Sequence, residues 1–280
     1  MNKKLFKESL IGMVMGVGIM LSAYYLIPKD IILKLFPNGN TEAIVFFTSV
    51  IICPFFAIFL HEMGHLAAGL IQGFKLQLFV VAFLGIKRQE DKIKFYLNKD
   101  LQYFGGVAAT SPVQITNKLK EQFALILVAG PIFSLVFGIL FIALFIYTDT
   151  LFNSSFGIIG IISTGLFFAT TIPEKSGSFF TDRKRMQRLF DKGKTGEIEQ
   201  SYIETTSQLL IDNHFKNLSI EKLLLIQSDT EPIVQFWGYY FEFKHNEEWG
   251  ISEKASLIKD KLNTYKEIVP KNLWNSLSIN

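Results

Sequence analysis

The sequence predicts an α-helical polytopic membrane protein with about four transmembrane helices, a small β-hairpin at the membrane edge and a C-terminal cytoplasmic helical domain. The chain has 280 residues, of which 49% are hydrophobic, and its mean hydropathy is +0.30. This is more apolar than an ordinary soluble domain. The apolar residues are concentrated in the first two thirds of the chain. The formal net charge is only +3, so the overall charge does not indicate nucleic-acid binding.

Apolar runs at roughly residues 9–27, 43–72, 122–147 and 155–172 are each long enough to cross a bilayer. The first run follows the basic start MNKKLFK, and a cleaved signal peptide is the alternative to a membrane anchor there. We favour a retained anchor because the apolar run is long. In addition, SAYYLIPKD offers no clear small-x-small cleavage site.

Basic and non-basic loops alternate along the chain. The N-terminus, the loop over residues 73–121 and the segment after the fourth run are rich in Lys and Arg. By contrast, the basic residues of the loop over 28–42 are only Lys29 and Lys34, and the loop TDTLFNS contains no basic residue. Basic loops stay preferentially in the cytoplasm. The alternation therefore predicts a multi-pass protein of the cell membrane with both termini in the cytoplasm.

The loop between the second and third runs has a period of two in hydrophobicity. FKLQLFVVAF begins with alternating apolar and polar residues, KIKFYL alternates throughout, and the polar stretch KRQED lies between them. This pattern predicts a β-hairpin over residues 75–97 with one apolar face at the membrane surface. The Gly-rich stretch YFGGVAATSP that follows is predicted to be irregular.

Residues after about 195 have helical spacing, interrupted by capping and helix-breaking residues. We predict about three to five short helices in a small bundle. Helical-hairpin repeats of the tetratricopeptide type are an alternative, although no convincing period is present. The predicted division is a signal-anchor helix with an outer loop (1–42), a membrane core (43–193) and a cytoplasmic helical domain (194–280). The last is expected to bind a regulator.

The segment FFAIFLHEMGHLAAGLIQGF puts three ionisable residues inside the second apolar run. On a helix, His61 and His65 lie on one face and can reach one metal ion, with Glu62 beside them. Hydrogen-bonded core histidines are the alternative. Ionisable groups in a membrane span are costly and usually functional, which favours metal binding. Imidazole suits Zn²⁺, which makes water acidic, and Glu62 can take and return the proton.

An HExxH inside a membrane helix, followed by a hairpin-bearing loop and two further apolar runs, resembles the site-2 protease family of intramembrane zinc metalloproteases. The resemblance covers roughly residues 43–190. VAGPIFSLVFG is similar to the Ala-Gly-Pro segment of the family, with Ser134 where Asn is more usual, and FGG is similar to a Gly-rich stretch of bacterial members. The resemblance implies substrate-binding roles for Ser134, Gly105 and Gly106. Helix packing is the alternative for Ser134.

The resemblance also implies a third metal ligand, an Asp generally followed by Gly, near the last core helix. Asp182 in IPEKSGSFFTDRKRMQRLF is the best match, but Arg183 stands where Gly is usual. The Gly would ease a tight backbone turn beside the metal. A surface carboxylate paired with neighbouring cations is the alternative for Asp182, and Glu174 is the fallback ligand. Two histidines and one carboxylate form a standard catalytic zinc set.

These features predict an intramembrane zinc metalloendopeptidase with a site-2-protease-like core. It would use metal-activated water to hydrolyse a peptide bond, in or near the membrane, of a small membrane protein or peptide precursor. An edge of the hairpin could hold the extended substrate. One alternative is a catalytically impaired, protease-like binding or immunity module. Another is a membrane zinc protease with a Glu third ligand. The expected partners are the substrate and the lipid bilayer.

Overall fold

The computed structural model describes residues 25, 28–89, 92–176, 179–277 and 279. A short helix, α1 (Lys29–Lys34), precedes three long ones, α2 (Asn40–Ile71), α3 (Leu119–Tyr147) and α4 (Asn153–Thr171). The three long helices are long and apolar enough to cross a membrane. They coincide with the second, third and fourth predicted runs. Apart from Tyr25, the first predicted run lies outside the described residues, so the total of four spans stays a prediction.

A four-stranded antiparallel sheet lies between α2 and α3 in the chain, with strand order β3-β2-β1-β4. Its strands are β1 (Lys75–Val81), β2 (Leu84–Gln89), β3 (Lys92–Leu97) and β4 (Val107–Ser111), and a 3-10 turn at Leu101–Tyr103 precedes β4. The predicted two-stranded hairpin is therefore wrong in its strand count.

The extra turn in the sheet lies at Ala82 and Phe83, inside the run that was predicted to be one strand. Ala82 has a φ of 52°, in the left-handed region. The Asn98 side chain stabilises this turn by donating a hydrogen bond of 2.7 Å to the carbonyl of Ala82, and the Asn98 backbone N–H donates one to Phe83. A turn held by a distant side chain carries no local Gly or Pro signal in the sequence.

Strand β4 occupies the stretch that was predicted to be irregular, so that prediction is wrong. It pairs with β1 from Lys75 opposite Ser111 to Val80 opposite Val107. Gly106, with a φ of +94°, leads into the strand. Val and Thr favour strands, but the two glycines directly before Val107 are typical of irregular structure. Because β1 and β2 are paired on both sides, the edges of this sheet are β3 and β4.

After α4 the chain forms a two-stranded ladder, β5 (Lys175–Ser176) with β6 (Phe179–Phe180), and then the short helix α5 (Asp182–Leu189). The helices described after this point are α6 (Lys194–Asp212), α7 (Ile220–Gln227), α8 (Pro232–Trp249), α9 (Ser252–Asn263) and α10 (Lys271–Ser276). They pack around a buried aromatic and aliphatic cluster that includes Phe236, Leu223 and Leu262. The described residues after about 195 thus form helices, as the sequence predicts.

The chain forms two compact units. Of the described residues, the first unit comprises those up to Phe56 together with Gly138–Ile162, and the second comprises those in the ranges 57–137 and 163–280. Within the first unit, the Lys34 ammonium lies 2.9 Å from the Asp149 carboxylate. The second unit contains every residue that was predicted to belong to the functional site. The three-part division predicted from the sequence stays a prediction.

A second buried apolar cluster in this second unit connects the start of α3 to α5 and α6. Its members are Phe74, Leu119, Ala124, Ile126, Leu127, Leu189 and Ile203. Leu189, at the end of α5, is fully buried there. Burying an aliphatic side chain of this size stabilises the fold by roughly 1.5–3 kcal/mol. The cluster therefore fixes the C-terminal end of α5 against α3 and α6.

Candidate metal centre

The two histidines of HEMGH lie on one face of α2, as their spacing predicts. Both side chains are buried. Their Nε2 atoms are 3.3 Å apart, and the ring planes are nearly perpendicular at 85°. The uninterrupted helix produces this arrangement, because residues four apart are neighbours on its surface.

Asp182 reaches the histidines from the first turn of α5. Thr181 caps this helix: its side-chain oxygen accepts a hydrogen bond from the backbone N–H of Lys184, and its hydroxyl donates to the carbonyl of Ile172 at 2.8 Å. A carboxylate is favoured at a helix N-terminus by the helix dipole. One carboxylate oxygen lies 3.4 Å from Nε2 of His61 and the other 3.5 Å from Nε2 of His65. The structure thus brings the three predicted ligands together.

Arg183, where the resemblance leads one to expect Gly, is exposed and belongs to helix α5. The described non-Gly residues with positive φ are Ala82 and Asn213, so Arg183 has no strained backbone. The chain begins a helix at Asp182 instead of making a tight turn, and a helical position does not need Gly. The fallback ligand Glu174 is exposed and lies outside the group that could hold a metal ion.

The distances within the three-residue group fit a zinc ion. Zinc binds imidazole nitrogen and carboxylate oxygen at about 2.0–2.2 Å with tetrahedral geometry, which puts neighbouring ligand atoms about 3.3–3.5 Å apart. The two Nε2 atoms are 3.3 Å apart, Nε2 of His61 lies 3.4 Å from Oδ2 of Asp182, and Nε2 of His65 lies 3.5 Å from the other oxygen, Oδ1. The donor set and its spacing therefore suit a tetrahedral divalent cation.

The other ring nitrogens of the histidines point away from the group and are hydrogen-bonded. Nδ1 of His65 is 2.6 Å from the carbonyl oxygen of Ile126, and Nδ1 of His61 is 2.9 Å from the hydroxyl of Ser134. A carbonyl can only accept, so Nδ1 of His65 carries a proton, and in the neutral ring Nε2 then keeps its lone pair. Such outer partners orient metal-binding histidines and raise their basicity.

The position of Asp182 keeps its carboxyl group ionised. Burial by itself raises the pKa of this group, but the hydrogen bonds and charge interactions with His61 and His65 outweigh burial and hold the pKa below its usual value. The ionised form is the one that coordinates metals. The site thus has a negatively charged candidate ligand, which would partly offset the charge of a divalent cation.

Glu62 is buried beside the histidines, and the backbone N–H of Ala108, in strand β4, interacts with its carboxylate. Gly106 lies against the same side chain: a Cβ at this position would be 2.7 Å from a Glu62 carboxylate oxygen. Gly106 therefore permits the Gly-rich loop to approach Glu62. Gly105, predicted with it, has open space where a Cβ would be.

Sequence reasoning missed how Gly64 and Gly130 let α2 and α3 approach each other. A Cβ on Gly64 would be 2.5 Å from the carbonyl oxygen of Ala129, and a Cβ on Gly130 would collide with the His65 ring. It also missed the Ile126 carbonyl. Glycines within two apolar helices are a usable signal for close packing in membranes. A backbone carbonyl partner leaves no trace in the sequence.

The three apolar helices, together with the group His61, His65 and Asp182 that could hold a metal ion, are typical of the membrane metallopeptidases. The profile described as Peptidase family M50 matches residues 49–273, most of the chain. The chain therefore belongs to peptidase family M50, the site-2 protease family, which consists of membrane-embedded zinc metalloproteases. Neither the comparison with curated proteins nor the comparison with solved structures gave a match.

Proposed function

We propose that this protein is an intramembrane zinc metalloendopeptidase that cleaves a peptide bond, in or near the membrane, of a small membrane protein or peptide precursor. Membership of family M50 supports the protease assignment. The observation that carries the metal assignment is the convergence of ligand atoms of His61, His65 and Asp182 at separations typical of zinc.

In the proposed mechanism His61, His65 and Asp182 hold a zinc ion. When bound, zinc makes water acidic and polarises a carbonyl group. Glu62 accepts a proton from the attacking water and returns it to the leaving amine as the C–N bond breaks. Its burial against Gly106 keeps bulk water away and fixes the carboxylate next to the ligands. Ser134 and the carbonyl of Ile126 hold the imidazoles in orientation.

We propose that the substrate binds along the free edge of β4. In a helical substrate the backbone carbonyl groups already accept hydrogen bonds within the helix, so the segment to be cleaved has to be extended. An edge strand of a sheet can pair with such an extended segment. The hairpin edge expected from the sequence was placed within residues 75–97. Strand β4 is the better candidate because Ala108, in this strand, interacts directly with the proposed base Glu62.

The proposed setting is the cell membrane, with several passes and both termini in the cytoplasm. The distribution of Lys and Arg supports this orientation. We further propose that the helices from α6 onward bind a regulator. An enzyme with a Glu third ligand is disfavoured, because Asp182 completes the described group. An impaired binding module was suggested by Arg183, and the helical start of α5 removes that reason.

Glu62→Gln tests the proposed reaction. This variant removes the base but leaves all three ligands, so we expect zinc to be retained and cleavage to stop. Membranes from cells with wild type and with the variant are compared by quantitative proteomics, and a substrate should accumulate uncleaved in the variant. Glu174→Gln is the control, because it changes an exposed carboxylate outside the group of three ligands. This variant should cleave the substrate normally. Full activity of Glu62→Gln would reject the mechanism.

A further inference from the structure

We propose that Arg188 is a positioning residue for the metal centre. It binds the C-terminal end of α5 to the C-terminal helices of the chain. It thereby determines the position of the Asp182 carboxylate at the N-terminal end of α5. The inference rests on the proposed function. It adds a link between the C-terminal helices and the third ligand that neither the motif nor the family assignment contains.

Helix α5 is short enough to act as a single rigid piece. Asp182 is its first residue, and Arg188 and Leu189 are its last two. With a rise of 1.5 Å per residue, the two ends are about 10 Å apart. A helix of this length is marginal on its own, so its position depends on what holds it. A rotation or shift at Arg188 is therefore transmitted to Asp182.

Arg188 lies in a buried cluster of ion pairs. Its Nε donates to one oxygen of Glu199 at 2.8 Å, and a terminal guanidinium nitrogen donates to a carboxylate oxygen of Asp229. The guanidinium also lies 4.9 Å from the ring centre of Phe180. The exposed fractions are 6% for the Arg188 side chain, 5% for Glu199 and 2% for Asp229. Burying three charges is costly unless they are paired, as they are here.

The two acidic partners come from different C-terminal elements. Glu199 lies on α6, and Asp229 lies between α7 and α8. Asp229 is itself fixed, since its carboxylate accepts the backbone N–H of Glu231 at 2.7 Å. Glu231 in turn pairs with Lys175, in the strand pair just before α5, at 2.7 Å. Ion pairs thus connect the C-terminal part of the chain both to α5 and to the strand pair that precedes it.

Apolar packing alone does not fix the rotation of α5. In the sequence DRKRMQRL, Leu189 is fully buried and Met186 packs partly against the same cluster, while the other residues are charged or polar. Leu189 can hold the end of the helix in place but has no directional contacts. The planar guanidinium of Arg188, bonded to two carboxylates on different elements, has the required direction. A regulator that moves α6 or α7 would therefore act on Asp182 through this residue.

The test uses full-length protein in detergent. Arg188→Lys keeps the positive charge but loses the planar guanidinium, and Glu199→Gln removes the charge that Arg188 shares with Arg185 while it leaves the pair of Arg188 with Asp229 intact. Zinc affinity is measured by competition with a chromophoric chelator. The ligand geometry is read from the visible absorption spectrum of the Co²⁺-substituted protein. Lys222→Met is the matched control, because it breaks a more exposed ion pair with Glu204 on the same helices.

We expect Arg188→Lys and Glu199→Gln to weaken zinc binding about 10–100-fold, the range typical of outer partners of metal ligands. We also expect an altered Co²⁺ spectrum and a loss in kcat with little change in KM, whereas Lys222→Met matches wild type. If Arg188→Lys does not fold, Glu199→Gln decides. Wild-type affinity and spectrum in a folded variant overturn the inference. If instead Asp182→Ala retains full zinc affinity, the proposed function itself is wrong.

Discussion

At the scale of single residues, each histidine has one ring nitrogen hydrogen-bonded within the protein while the other faces Asp182, and these contacts make the histidines compatible with an apolar helix. Nδ1 of His65 is bonded to the Ile126 carbonyl, and Nε2 faces Asp182. An unpaired polar group in this setting would cost several kcal/mol. The partners of His61 are equivalent, with the Ser134 hydroxyl on one side and Asp182 on the other. The site is thus prepared by protein contacts before any ion binds.

Ser134 provides the residue-scale prediction. Ser134→Ala removes the partner of His61 Nδ1 from a fully buried position, so we expect zinc affinity to fall by about 10-fold or more. The matched control is Ser163→Ala. Ser163 is also fully buried in an apolar helix, but its hydroxyl has no hydrogen-bond partner within the described part of the chain. Equal zinc affinities of the two variants, measured by chelator competition, would show that Ser134 only packs.

The sequence predicts some of these residues better than others, for a physical reason. His61, Glu62 and His65 belong to one helix, where spacing alone determines which side chains are neighbours. Asp182 comes from a separate helix, and only the family resemblance pointed to it. Ser134 was expected to contact substrate or to pack, and its contact with His61 depends on how α2 and α3 approach each other. Contacts between elements are not encoded in local spacing.

At the scale of elements, α5 explains why an Arg can follow the proposed Asp ligand. Thr181 caps the helix and Asp182 occupies its first position, so residue 183 has ordinary helical backbone angles. We predict that Arg183→Gly leaves zinc affinity unchanged and lowers the free energy of unfolding by up to about 1 kcal/mol, because Gly is a poor helix former. Thermal unfolding and chelator competition measure the two effects. Tighter zinc binding in Arg183→Gly would contradict this explanation of why Arg can replace the usual Gly.

Strand β4 is the element that we expect to hold the substrate. Thr110→Pro places a residue without an N–H in this edge strand, so it should slow turnover at least several-fold while zinc is retained. Lys94→Pro in β3, the opposite edge of the same sheet, is the control and should leave turnover much closer to wild type. Cleavage of a membrane substrate and zinc content are measured side by side. Equal effects of the two prolines would contradict the assignment of the substrate to β4.

The elements differ in how far local sequence determines them. The membrane helices follow from length and apolarity, because a chain in lipid has to satisfy its backbone hydrogen bonds internally. The strands were only partly predictable. The turn at Ala82 depends on the distant Asn98, and β4 is a strand because β1 lies beside it. Both features arise from tertiary pairing, which a period of two in hydrophobicity cannot reveal.

At the scale of the whole molecule, the distribution of charge predicts the orientation in the membrane. Cys53 is the one cysteine of the chain and is buried, so a cysteine introduced elsewhere becomes the accessible thiol. We expect Thr150→Cys, in the loop without basic residues, to react with a membrane-impermeant maleimide added to intact cells. Asn272→Cys should react only after the cells are opened. Wild-type protein is the control, and labelling of Asn272→Cys in intact cells would contradict the orientation.

The central claim is that His61, His65 and Asp182 hold a zinc ion, and metal analysis of purified protein tests it most directly. We predict stoichiometric zinc in wild type and in Glu174→Gln, and loss of zinc in both His61→Ala and Asp182→Ala. If a variant without metal unfolds at nearly the same temperature as wild type, the loss of zinc is a local effect of the substitution. Stoichiometric zinc retained in both His61→Ala and Asp182→Ala would contradict the claim.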